Sequence, residues 1–225
     1  MRRIRSGALA VSRPAAACLA VVGIVAGAMV GMNGLDTVVG CGGAEDSYPS
    51  QTAKQWVTYA DQVVVATPIR ERETNRRDFT KGPIQYETDR EVAFRTDNIL
   101  WSARSPAKPM GKDFDMTAPG WRVYRANGNR EKKTAAYAPR LETGHTYLLA
   151  LRWDADGWVV LGEGAAVPFD DHSGDRGEWC GRVLSKDDVA RGEGFSRLDD
   201  HSLEKALLGQ GEQAVTRELD RASRK

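Results

Sequence analysis

Residues 145–162, "HTYLLALRWDADGWVVLG", constrain the fold of this chain more than any other stretch. Two apolar runs, each too short for a stable helix, flank "DADG", so they read as the arms of a β-hairpin turning at Asp156 and Gly157. That register sets Trp153 opposite Trp158 beside the turn. The functional reading of such a pair is a stacking platform for a sugar; the structural reading is a cross-strand aromatic pair that pins register and covers a core.

The same two-residue period runs from about residue 61 to 182. "DQVVVATPIRERE" begins as a buried strand and ends as an alternating one, and "REVAFRTDNILW" sets Val92, Phe94 and Thr96 on one face. In "WRVYRANGNREKK" the Asn127-Gly128 dipeptide favours a tight type I′ turn. The period turns helical at both flanks. Before the strands, "SQTAKQWVTYAD" offers Ser50 as a cap and Ala53, Trp56, Val57 and Ala60 on one face. After them, Leu203, Leu207, Val215 and Leu219 recur near 3.6 residues, with Gly209 and Gly211 interrupting, which predicts one short docked helix and a second, frayed one. The expected fold is mainly β: a small antiparallel barrel or sandwich at 50–184, with a short leading helix and a helical C-terminal extension at 185–225.

Residues 1–32 have a different character. Arg2, Arg3, Arg5 and Arg13 precede an uncharged run from Pro14 to Met32, the pattern of a signal peptide or membrane anchor whose N-terminus stays in the cytoplasm. Ala26-Gly27-Ala28 suits cleavage, and the length of the run also suits a retained helix over residues 15–32, so both fates stay open. Lipoprotein sites at Cys18 and Cys41 fit poorly, the first preceding most of the run and the second lying far beyond it. Residues 33–49 are rich in glycine and turn formers and read as a linker. The expected location is extracytoplasmic, either membrane-anchored or secreted.

Export removes four arginines and no acids, leaving 28 Lys plus Arg against 31 Asp plus Glu, a net charge of −3. That balance, without a basic stripe interleaved with aromatics, argues against nucleic acid as a partner. Mixed-sign "RERETNRR" at 70–77 reads as a solvated strand end. In an oxidising compartment Cys41 and Cys180 are expected to form a disulfide, closing a loop of about 140 residues worth a few kcal/mol on the chain-entropy model.

"YADQVVVATPIRERE", an alternating strand ending in "NILW", and "LETGHTYLLALRW" together resemble secreted OB-like, netrin-type modules, the group that includes tissue inhibitors of metalloproteinases, over residues 55–165. The resemblance implies an OB-like barrel. Those inhibitors begin with a Cys-x-Cys that chelates the protease zinc; only Cys41 lies nearby here, so inhibition is not implied. The leader and the Ala, Gly and Arg usage also resemble exported proteins of high-GC actinobacteria.

Three constellations could carry chemistry. Asp170, Asp171, Asp175 and Glu178, with His172 among them, could wrap a calcium ion, although the spacing is not that of an EF-hand and one histidine is too few for zinc. The plainer reading is a polar loop fixed by Cys180. His145, near Glu142 and Tyr147, could serve a hydrolase or bind a ligand, yet no nucleophile motif accompanies it. His201 reads as part of a helix cap. The leading expectation is therefore a non-enzymatic binding or interaction module whose partner is a protein or an envelope component. A metal-dependent or histidine-assisted hydrolase and a cell-wall carbohydrate binder using Trp153 and Trp158 are the alternatives.

Overall fold

The computed structural model describes residues 40–42, 48–135, 138–170, 177–179, 182–184, 203, 207 and 209–224. Strands dominate: β1 (Gly40–Gly42), β2 (Gln62–Asp78), β3 (Ile84–Ser102), β4 (Asp113–Tyr124), β5 (Arg130–Ala135), β6 (Tyr147–Asp154), β7 (Gly157–Val160), β8 (Ala166–Pro168), β9 (Gly177–Trp179) and β10 (Arg182–Leu184). Helices α1 (Ala53–Tyr59) and α2 (Glu212–Ser223) flank them, and one 3₁₀ turn spans Glu163–Ala165. The main sheet runs β1-β5-β4-β3-β2-β6-β7, with β8 also on β6, and β9 and β10 form a separate pair. Neighbours are antiparallel apart from the parallel β1–β5 pair.

The sheet is an open, curled half-barrel. Two of its strands are longer than the even, short spacing predicted: β2 has 17 residues and β3 has 19, against a common range of about 3–10. Such length is accommodated by register shifts between β2 and β3 at Val63/Val64, Val65/Ala66, Pro68/Arg70 and Thr74/Arg77, which let the pair coil.

Alternation then builds two cores. On the concave face Val64 and Ala66 of β2, Val92 and Phe94 of β3, Phe114 and Met116 of β4, and Tyr147, Leu149 and Leu151 of β6 pack together. On the other face Val63, Val65, Leu148 and Ala150 meet Trp56 of α1 and Val215 and Leu219 of α2, with Leu203 and Leu207. Because β6 is covered on both sides, it reads as an unbroken apolar run. Phe94 and Phe114 stack at 4.9 Å, and Phe114 meets Trp158 edge-on at 6.4 Å, so β4 approaches β7 through side chains.

Local chemistry departs from the sequence reading in four places. Thr52, not Ser50, caps α1, in a capping box with Gln55; Ser50 is buried and its hydroxyl accepts from the Gly164 amide. The β4–β5 connection is a five-residue loop, with only Gly128 left-handed (φ 68°), because the Asn127 side chain accepts from the Asn129 amide and folds the turn without a positive φ of its own. The two-residue left-handed turn is instead Ala155-Asp156 (φ 45° and 67°). Finally, α2 is docked, with Val215 and Leu219 fully buried, because Gly209 turns the chain at φ 67° and Gly211 caps the helix, so both glycines lie outside it.

Gly40–Gly42 of the expected linker pairs with β5. The leader, residues 1–32, lies outside the described residues, among which no helix is long and apolar enough to cross a membrane.

Candidate functional site

The half-barrel carries polar groups in three places. The first lies where β6 begins. The His145 ring, through Nδ1, is 2.8 Å from Asp170 Oδ2, and the Thr146 amide donates to Asp170 Oδ1. Thr146 Oγ1 is 3.2 Å from Thr67 Oγ1, which donates to Asp97 at 2.5 Å; Arg95 Nε holds the other Asp97 oxygen. Four segments thus contribute to one chain of contacts, and the carboxylate fixes the imidazole with Nε2 turned away from it. That is the orientation of a general base. Among the described residues no hydroxyl or thiol hydrogen-bonds His145 as a nucleophile would.

This contact joins two residues that the sequence placed in separate constellations, His145 and Asp170. Of the other expected metal ligands, Asp171 and Asp175 lie outside the described residues, as do His172 and His201, and only the backbone of Glu178 is described, in β9. Among the described residues no group of three His, Cys, Asp or Glu side chains could hold a metal ion. Cys41 sits in β1 opposite Thr134, and Cys180 is outside the described residues, so the expected disulfide lies outside them too.

The second place is the tryptophan pair. Trp153 and Trp158 face each other across β6 and β7, as the hairpin register predicts, with ring centroids 5.3 Å apart at 76°. Trp158 is only 4% exposed, and Lys108 Nζ lies 3.6 Å over the Trp153 ring. Sugar stacking needs an open ring face; here one ring is in the core and the other already carries a cation.

The third place escaped the sequence reading. Above the Val92 and Met116 row, the concave face changes from apolar to charged. Arg90 Nη1 donates to Glu71 at 2.5 Å, and its Nε donates to the Pro119 carbonyl. Arg140, with a fully buried side chain, binds Glu142 through Nε, while its Nη1 reaches the carbonyls of Pro119, Gly120 and Lys133. Tyr147 locks that loop by accepting from the Glu142 amide and donating to the Arg140 carbonyl. Burial pushes the Tyr147 phenol up, and burial together with the like charge of Arg90 lowers Arg140 to about 10, still protonated at neutral pH. On the opposite face Glu87 is held by Lys133 at 2.7 Å and Arg122 at 2.8 Å. Burial alone would raise Glu87, but those two cations outweigh it and hold it below the usual carboxylate range. One signal was present in the sequence: Arg90 shares the parity of the core-facing Val92 and Phe94 of β3, whereas Glu71 reaches the same face only through the register shift between Pro68 and Arg70.

These clusters brace an arm. Beyond Ala66, β2 leaves β6, and its last backbone contact on that side is the Gly144 amide to the Pro68 carbonyl at 3.4 Å. From Ile69 to Asp78 β2 is paired with β3 alone, among the described residues, and most of its side chains are exposed. Arg72 pairs with Glu91, Glu73 with Arg130, and Arg76 with Asp78. No protein-family model matches the chain, and no curated protein matches it.

Proposed function

We propose that the chain is an extracytoplasmic binding module, attached to the membrane by its leader or released from it, that recognises another protein or an envelope component through the β2–β3 arm. The supporting observation is the arm itself: an exposed strand edge from Ile69 to Asp78, held in place by the buried Arg90, Arg140 and Glu87 clusters and standing clear of the helix-backed core. A preformed edge loses little entropy on binding, which suits recognition. The finer reading, an OB-like module, rests on the sequence resemblance and on the curl of the sheet.

Photo-crosslinking side chains placed at Arg70 and Thr74, and at Glu218 and Asp220 on α2 as controls, test this reading in cells that make the full chain. Discrete adducts from the arm positions alone are expected. Adducts that appear equally from both sets, or from neither, would end it.

The His145–Asp170 contact favours a second reading, a histidine-assisted hydrolase. Turnover of ester or glycoside substrates that disappears in His145→Ala would replace the binding module with an enzyme.

A further inference from the structure

The edge of β2 beyond Pro68, unpaired among the described residues, has a charge pattern that differs between its two faces. Register with β3 sets Arg70 opposite Ala93 and Arg72 opposite Glu91, while Glu71 lies opposite Val92 and Glu73 opposite Arg90. Glu71 and Glu73 therefore share the concave face, where Arg90 and Arg130 already hold their carboxylates. Arg70 and Arg72 share the convex face. Among the described residues Arg70 makes no ion pair, and Arg72, 69% exposed, makes one at 3.0 Å with Glu91. The convex side of this edge thus presents Arg70, without an ion pair among the described residues, beside the exposed Arg72, whose one partner is itself at the surface.

A second copy pairing through its own β2 edge does not fit. Two antiparallel copies of one strand related by a two-fold axis keep each side chain on its own face, so residues of equal parity meet. A register centred on residue 71 sets Arg70 against Arg72; one centred on 72 sets Glu71 against Glu73; one centred on 73 sets Arg70 against Arg76. Like charges directly opposite are destabilising. Registers centred nearer the barrel bring in Pro68, which has no amide to donate, and those farther out meet the left-handed Asn75 (φ 47°) within the register shift between Thr74 and Arg77. These are the devices by which edge strands escape self-association.

We propose that residues 69–74 of β2 accept an added antiparallel strand from a different protein, one with acidic residues at alternate positions. Main-chain bonds along the edge supply affinity, and the alternate acids, facing Arg70 and Arg72, supply selectivity. The run between Pro68 and Asn75 admits about six residues, roughly 20 Å of strand. The inference rests on the binding-module reading above and assigns to it a surface and a class of partner.

The probe is a capped octapeptide of alternating threonine and glutamate, with the threonine–lysine octapeptide as its counterpart, added to the full chain while amide hydrogen exchange is followed. The glutamate peptide is expected to slow exchange over residues 69–74. The lysine peptide should bind about tenfold more weakly, since two exposed charge pairs change sign. In the double variant Arg70→Glu, Arg72→Glu, whose substituted side chains are exposed, the preference should invert while the thermal midpoint stays within a few degrees. Absence of protection with either peptide, or protection indifferent to peptide charge and to the double variant, overturns the proposal. Arm crosslinks that persist beside an unprotected edge would remove this inference and leave the binding module standing. A protected edge without arm crosslinks in cells would remove the binding-module reading, and with it the partner assigned here.

Discussion

Replacing Arg140 with methionine tests whether the buried cationic layer holds the arm to the barrel. The substitution keeps an unbranched stem and removes a guanidinium whose side chain is fully buried. Glu142 would retain Lys132 at 3.1 Å, and Pro119 would retain Arg90, but the carbonyls of Gly120 and Lys133 would lose their charged donor. Hydrogen bonds to charged groups contribute about 1.5–3 kcal/mol each, and breaking a buried ion pair by removing one partner costs about 3–5 kcal/mol. Overlap between those terms and the apolar gain from methionine bring the net loss to about 4 kcal/mol. That is a large share of the roughly 5–15 kcal/mol that holds a domain together. In urea, with a slope of about 2 kcal/mol per molar, the midpoint should fall by about 2 M at unchanged slope. Arg140→Lys keeps the charge without the fork and should lose about half as much, and the exposed control Arg70→Met should shift stability by no more than about 0.5 kcal/mol. A loss below about 1 kcal/mol for Arg140→Met, with the slope unchanged, would refute the assignment of this residue as the tie between loop and strands.

Other perturbations probe separate parts. Glu87 is held below its unfolded carboxylate range, so it contributes stability above about pH 4.5 that is lost as pH falls through its folded value; Glu87→Gln should flatten the acid limb of a pH–stability curve, and an unchanged limb would count against the triad with Lys133 and Arg122. Tyr147 is pushed up, so its contribution is complete below about pH 10 and declines as alkali ionises the unfolded chain; Tyr147→Phe should lose stability at neutral pH and show a weaker further decline above pH 10. Trp158→Ala should cost about 3–5 kcal/mol by thermal or urea unfolding, and Trp153→Ala clearly less, because only Trp158 is in the concave core. Gly120→Ala would place a Cβ 2.7 Å from the Thr88 carbonyl oxygen and should destabilise by about 1–3 kcal/mol in the same assay. For the expected Cys41–Cys180 bond, leader-free chain from an oxidising host should show no thiol after denaturation without reductant, and two reactive thiols would eliminate it.

The central hairpin was legible because its signal is local. "DADG" between two apolar runs fixes the Trp153–Trp158 register without reference to anything distant, and the parity of Val92 and Phe94 names the core-facing side of β3. The apolar stripe of the C-terminal segment was legible in the same way, through Val215 and Leu219. What failed was the reading of individual caps and turns, where several residues compete for one role: Ser50 and Thr52 both precede α1, and the partner of the Thr52 box, Gln55, decides between them. Asn127 could enter a left-handed turn or fold one with its side chain, and it does the second. The charged layer was hidden for a different reason. Arg140 acquires its meaning from carbonyls of Pro119, Gly120 and Lys133 that no periodicity links to it, and Asp170 reads as one acid among several until His145 is brought beside it.

The contact between α1 and α2 joins parts of the chain more than 150 residues apart. Lys54 Nζ reaches the Ala222 carbonyl at 3.5 Å, and Val215 and Leu219 share a cluster with Trp56, while Trp101 of β3 donates to Ser223 and ties the same helix to the sheet. Under tension applied at Ser50 and Arg224, the load reaches this helix pair before any strand ladder. A helix held by side chains peels away contact by contact, whereas paired strands must slide across all their bonds together. Pulled from those ends, α2 is therefore expected to come away first, as a clasp over the half-barrel.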